Sequence, residues 1–171
     1  MITKITLKDY QIYCQWMTRA LAIADHVGGQ GDIPVGAVIT DFQGNLIAEA
    51  GNQKEKRHDP TAHAEILVIR EASERLKTWH LENCILYVTL EPCMMCTGAI
   101  VQARIGLLVY GADDPKTGTI RTVANLPDSA ASNHRLSVIG GVMEVDCRKQ
   151  LQAWFDRKRL TKKISRRSPY S

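Results

Sequence analysis

Cys84-Ile-Leu-Tyr-Val-Thr-Leu90 runs straight into Glu91-Pro92-Cys93-Met94-Met95-Cys96, and this junction decides the fold. The first seven residues are nearly all apolar, with the branched and aromatic side chains that favour a strand. Pro92 then suits the first turn of a helix reaching about Arg104. Upstream, Pro34 to Thr40 and Leu46 to Ala50 read as a hairpin of two short strands joined through Asp41 to Asn45. The polar stretch from Asn52 to Asp59 leads to a second helix from about Thr61 to Leu76, capped by Asp59 or Thr61 with Pro60 in its first turn. At the start, Leu7, Tyr10, Cys14, Met17, Leu21 and Ala24 recur at three- and four-residue spacing. They predict a helix from Thr6 to Val27, with a capping box of Thr6 and Asp9 and a break at Gly28, Gly29 and Gly31. Downstream, Ile105 to Gly111 and Arg135 to Ile139 are strands, and Met143 to about Lys163 is the last helix. The connection from Ala112 to His134 has room for a short helix, which would let the last two strands run parallel. Strands alternating with helices predict an α/β fold around one sheet. With 171 residues, 44% of them apolar, the chain suits a single domain, expected over residues 1–164, followed by a tail over 165–171.

Two helix starts carry the chemistry. His63-Ala-Glu65 lies thirty positions before Pro92-Cys93-Met-Met-Cys96, and the pair spells the ligand pattern of zinc deaminases. One imidazole and two thiolates fill three corners of a tetrahedral zinc ion and leave the fourth for water, as in a catalytic site. Zinc lowers the pKa of such a water from ~15.7 to ~7. Glu65 is then not a ligand but the carboxylate that takes a proton from water and gives it to a ring nitrogen, so that ammonia can leave. Residues two apart on a helix point about 200° from one another, so His63 and Glu65 reach a common ligand only off the N-terminal end. Cys93 and Cys96 share one side of a first turn, where the helix dipole favours thiolate.

Other readings of these residues exist. A redox Cys-x-x-Cys has no need of the His-x-Glu, and a closed structural zinc needs a fourth ligand, for which His58 is the near candidate. His80 and His134 read as surface or satisfied residues, and Met94 and Met95 as packing residues buried in the sheet or in a subunit contact. Five cysteines, two of them in a metal-type pair, do not make a disulfide framework. No apolar run approaches bilayer length, and MITKITLKDY lacks the regions of a signal peptide, so the expectation is a soluble cytoplasmic protein. The net charge of +4 is uneven. Residues 157–171 carry seven basic residues and no acid, leaving 15 basic against 18 acidic elsewhere, or −3. A basic end on a mildly acidic body suits phosphates, or merely solubility.

Further stretches carry a resemblance: Pro34-Val-Gly-Ala-Val-Ile39, Asn52, His58-Asp-Pro-Thr-Ala-His-Ala-Glu-Ile66, Leu86 to Ile100, Lys116-Thr-Gly118, Asn133-His-Arg135 and Trp154-Phe155 with the basic residues after it. Together they resemble the bacterial tRNA-specific adenosine deaminases over most of residues 6–160. The zinc motif alone is shared with cytidine, cytosine and guanine deaminases. The resemblance implies a cytidine deaminase-like three-layer α/β/α sandwich with a five-stranded mixed sheet. It also implies a homodimer and conversion of adenosine to inosine at the wobble position of a tRNA anticodon stem-loop. It would give His63, Cys93 and Cys96 to one zinc ion per subunit and proton transfer to Glu65. Asn52 and the Ala64 amide would hold the flipped-out base, and Val35 would pack on its face. Asp114 and Lys116 would lie along ribose and phosphates, and Phe155, Lys158 and Arg159 would contact the anticodon loop. Two departures stand out: Thr119 to Asp128 differs from the small residues common there, and Asp156 places an acid on the last helix. Deamination of a free base or nucleoside is the alternative, and a zinc-stabilised RNA-binding domain without catalysis is a third reading, which leaves Glu65 without a purpose.

Overall fold

A computed structural model describes residues 6–165 of the chain, with side chains to residue 163. Residues 166–171, with Arg166 and Arg167 of the expected tail, lie outside the described residues. Helix α1 (Leu7–Gly29) is followed by the strands β1 (Gly36–Asp41) and β2 (Leu46–Gly51), the short helix α2 (Lys54–Arg57) and α3 (Ala64–Leu76). Then come β3 (Cys84–Leu90), α4 (Met94–Gln102), β4 (Leu107–Ala112), β5 (Ser137–Gly140) and α5 (Glu144–Ser165).

The five strands form one sheet in the order β2-β1-β3-β4-β5. β1 pairs antiparallel with both β2 and β3, whereas β3, β4 and β5 run parallel. Alternation along the strands sorts the core into two layers, as a period of two requires. Ala37, Ile39, Leu86, Val88, Leu108 and Tyr110 pack with Val68, Ile69 and Ala72 of α3 and Ile100 of α4. Val38, Ile85, Tyr87 and Val109 face the other way, against Met17 and Ala20 of α1 and Cys147 of α5. Both faces are covered, which explains why β3 reads as a continuous apolar run rather than as an alternating one. Gly36 is where α1 meets the sheet: a Cβ there would come within 2.0 Å of Ala20 O.

Several expectations need correction. The helix expected from Thr61 begins at Ala64, because Asp59 Oδ1 accepts from both Thr61 N and Thr61 Oγ1 and closes a turn before it. α1 does form the Thr6–Asp9 capping box, yet it passes through Gly28 and Gly29 and ends only before Gly31, whose φ is +98°. Leu7 and Tyr10, counted on its buried face, are exposed. The 112–134 connection holds no helix; it is a chain of turns tied back through Leu126 N to Thr119 O, Ser129 N to Leu126 O and His134 Nε2 to Ile105 O. β4 and β5 are parallel all the same. No helix among the described residues is long and apolar enough to cross a membrane.

Candidate active site

His63 is the N-cap of α3 and Cys93 the N-cap of α4, so both motifs sit at helix starts, with α4 entered from the C-terminal end of the parallel strand β3. Open α/β sheets place ligands beyond that end. Neither cap residue uses its side chain to cap its helix. Both side chains are therefore free to turn toward each other. His63 Nδ1 stands 3.5 Å from Cys96 Sγ and 3.8 Å from Cys93 Sγ. Zinc–sulfur bonds of about 2.3 Å and a zinc–nitrogen bond of about 2.0 Å at tetrahedral angles place such atoms roughly 3.6 Å apart, so this donor set fits that ion. Among the described residues it is the one group of three or more His, Cys, Asp or Glu whose donor atoms lie within 4.8 Å of one another. His58 is exposed and not part of it, which removes the near candidate for a fourth ligand.

The electrostatics suit a cation. The Cys96 thiol hydrogen-bonds to Cys93 and, with His63, pulls Cys93 down to about 4 against its burial. The same bond and burial hold Cys96 well above its ordinary value. His63 is raised, first by its bond to Cys93. Glu65, in the first turn of α3, is only 4% exposed, and burial pushes its carboxyl up while His63 draws it down. The carboxyl is thus buried close enough to His63, Cys93 and Cys96 to feel their charge, yet it stands outside the donor set.

The other expected residues fall into two groups. Asn52 and Val35 are neighbours, with Asn52 N donating to Val35 O at 2.9 Å, and both are buried. Ala64 is buried as the first residue of α3, where helix N–H groups lack intrahelical partners. A cavity of about 320 Å³ lined by Gln30, Asp32, Asn52 and Lys56 opens beside Asn52. Asp114 spends its carboxylate on its own loop, accepting from Lys116 N, Thr117 N and Thr117 Oγ1, while Lys116 is exposed. On α5, Phe155 lies edge-on to Trp154, Lys158 Nζ lies 5.1 Å from the Trp154 ring centroid, and Arg159 pairs with Asp156. Trp154 Nε1 donates to Gly28 O, fixing α5 beside the C-terminal end of α1. Met94 is 69% exposed on α4 and so is not buried in the sheet. All five cysteines are free thiols.

Glu91 has a structural role that the sequence motifs do not announce. It is 2% exposed, and its carboxylate accepts the backbone N–H groups of Asp114, Ile120, Arg121 and Thr122 and the Thr122 hydroxyl. Any side chain at Gly118 would collide with it. Thr119 N bonds Pro92 O and Gly118 bridges to Cys93, so the loop carrying Asp114 and Lys116 is stitched to the start of α4. Its only sequence signal is a charge between an apolar strand and Pro92. Glu91→Ala strands several buried donors and is expected to destabilise the fold by about 3 kcal/mol or more, read as a lowered urea midpoint at unchanged slope.

A family model described as MafB19-like deaminase matches residues 13–150. The tRNA-specific adenosine deaminase of Haemophilus influenzae is 44% identical over 150 residues, 88% of this chain and 87% of that one. The chain belongs to the tRNA-specific adenosine deaminase family. A solved structure from a study of A-to-I editing by tRNA:A34 deaminases at the wobble position is 40% identical, with a TM-score of 0.77 over 80% of this chain and 98% of that one. Guanine deaminase from Bacillus subtilis, at 32% identity, has a TM-score of 0.57 over 83% and 92%. The tRNA-specific deaminases are thus the nearer of these two relations in both sequence and shape.

Proposed function

We propose that this chain is a zinc-dependent hydrolytic deaminase that converts adenosine to inosine at the wobble position of a tRNA anticodon. The observation that carries the reading is the convergence of His63, Cys93 and Cys96 beside the buried, non-ligating Glu65, in a chain of the tRNA-specific family. His63, Cys93 and Cys96 would hold zinc, which supplies an acidified water at neutral pH. Glu65 takes a proton from the attacking water and delivers it to a ring nitrogen of adenine; once the oxygen has added to the amino-bearing carbon, its remaining proton passes through Glu65 to the amine, which leaves as ammonia. Water and adenosine become inosine and ammonia.

Asn52 and the Ala64 amide hold the base and Val35 packs on it, a role supported by the burial of all three, by the place of Asn52 in the cavity wall and by its bond to Val35. An anticodon loop already splays its bases, which lowers the cost of extracting one. Lys116 and the face of α5 with Phe155, Lys158 and Arg159 suit single-stranded RNA, where aromatic and cationic groups meet bases and phosphates. Asp114 serves by shaping the loop. The deaminase domain spans residues 1–164, residues 165–171 add a basic tail, and the enzyme works in the cytoplasm as a homodimer, for which exposed Met94 on α4 offers an apolar contact.

The zinc-loaded protein is to be incubated with an anticodon stem-loop bearing a wobble adenosine and, separately, with guanine, cytosine and free nucleosides. Inosine in the stem-loop, with one ammonia released for each, supports the proposal. Turnover of guanine or another free compound with an untouched stem-loop overturns it.

A further inference from the structure

Asp32 is 3% exposed and lies in the Gly31-Asp-Ile-Pro34 segment that leads into β1. Its Oδ1 accepts from Asn52 Nδ2 at 2.5 Å and from Ile33 N at 3.1 Å, and its Oδ2 accepts from Lys56 N at 3.1 Å. Asp32 and Asn52 line the same cavity. Resting on the tRNA deaminase reading, we infer that Asp32 is a positioning residue that fixes the orientation of the Asn52 carboxamide and so sets which purine edge the site accepts.

The two ends of a carboxamide have nearly the same shape, and in most settings either can turn outward. A carboxylate can only accept hydrogen bonds. Facing Asp32, Asn52 must present its nitrogen, since the flipped amide would set oxygen against oxygen in a buried place. The backbone bonds from Ile33 and Lys56 hold the carboxylate still, and the bond from Asn52 N to Val35 O holds the other end. One Asn52 N–H is used. The carbonyl oxygen and the second N–H remain, with their order fixed.

An acceptor beside a donor complements the N6 amino group and N7 of adenine. Guanine offers acceptors at both O6 and N7, so its O6 would meet the Asn52 oxygen. Asp32 thereby gives the site a means of preferring adenine, although it need not touch the base.

Asp32→Asn lets the Asn52 amide turn either way, because the new amide can donate as well as accept. Asp32→Glu keeps an acceptor-only group. The measurements are kcat and KM for the adenosine stem-loop and the inhibition constant of the same stem-loop with guanosine at the wobble position, each on protein with verified zinc content. For Asp32→Asn, kcat/KM is expected to fall on the order of 10-fold, while the guanosine stem-loop inhibits more tightly relative to the adenosine KM. Asp32→Glu should retain most of the wild-type ratio. A pocket that had merely loosened would weaken both stem-loops together, and an unchanged ratio in Asp32→Asn overturns the inference. If Asp32→Asn does not fold, Asp32→Ser, which can also donate or accept, reads the same ratio. Wild-type protein that makes no inosine would defeat the substrate assignment instead, which keeps the two failures apart.

Discussion

Glu65→Gln is expected to retain its zinc and its affinity for the anticodon stem-loop, while single-turnover formation of inosine falls by about 10⁴-fold, the upper range for a positioned general acid–base. The amide matches the carboxylate in size, so the packing around a side chain that is 4% exposed should survive. Metal binding should survive too, because the three donor atoms come from His63, Cys93 and Cys96. What disappears is a group able to take a proton from water and give it back. Zinc content by elemental analysis, stem-loop binding and a rapid-quench inosine assay check the three parts separately. A rate within a few-fold of wild type would remove Glu65 from proton transfer, and loss of zinc would make it part of the metal site.

Much of this arrangement could be read from the residues alone, for reasons that differ by element. β3 is found where its apolar run begins and ends, because a strand covered on both faces leaves no charged residue before Glu91. The metal trio was readable because its spacing is local within each motif, and each motif opens a helix. The start of α3 was misplaced because Asp59, Pro60 and Thr61 carry the composition of a cap while making a separate turn. α2 has four residues, Lys54–Arg57, none of them buried, so no apolar periodicity could announce it. α1 extends its apolar spacing to Leu7 and Tyr10, but periodicity does not say where neighbouring elements end.

Asp32 and Glu91 are buried charges, a rare placement, yet each is satisfied chiefly by backbone N–H groups. The Glu91 partners lie up to 31 positions along the chain. Backbone donors have no letter in a sequence, so little beyond the place of Glu91 after an apolar strand distinguishes these carboxylates from solvated ones. Asp156, by contrast, is conspicuous in the sequence but only pairs with Arg159 on the surface, where such a pair contributes little.

Cys96→Ser is expected to lose both zinc and turnover, and with them the thermal stabilisation that zinc gives the wild type. Cys96 is fully buried and Cys93 half-buried, with both sulfurs held by helix α4 toward a histidine on α3. Two ligands are too few for a tetrahedral ion with one open position, and serine is a poor donor where a thiolate is called for. Because a ligand that binds only the folded chain stabilises it by RT ln(1 + [L]/Kd), added zinc should raise the melting temperature of chelator-treated wild type but not of Cys96→Ser. At a hundredfold excess over Kd the gain is about 2.7 kcal/mol, enough to move the transition by several degrees for a domain of this size. Treating wild type with a chelator should likewise abolish inosine formation, and zinc should restore it. The contrast with Glu65→Gln is the decisive part. Both variants stop the chemistry, but only the cysteine variant should lose the zinc-dependent shift, because one residue grips the ion and the other moves the proton. Equal melting shifts in the two would mean that zinc sits elsewhere, and retained turnover in chelated wild type would mean that the reaction does not use it.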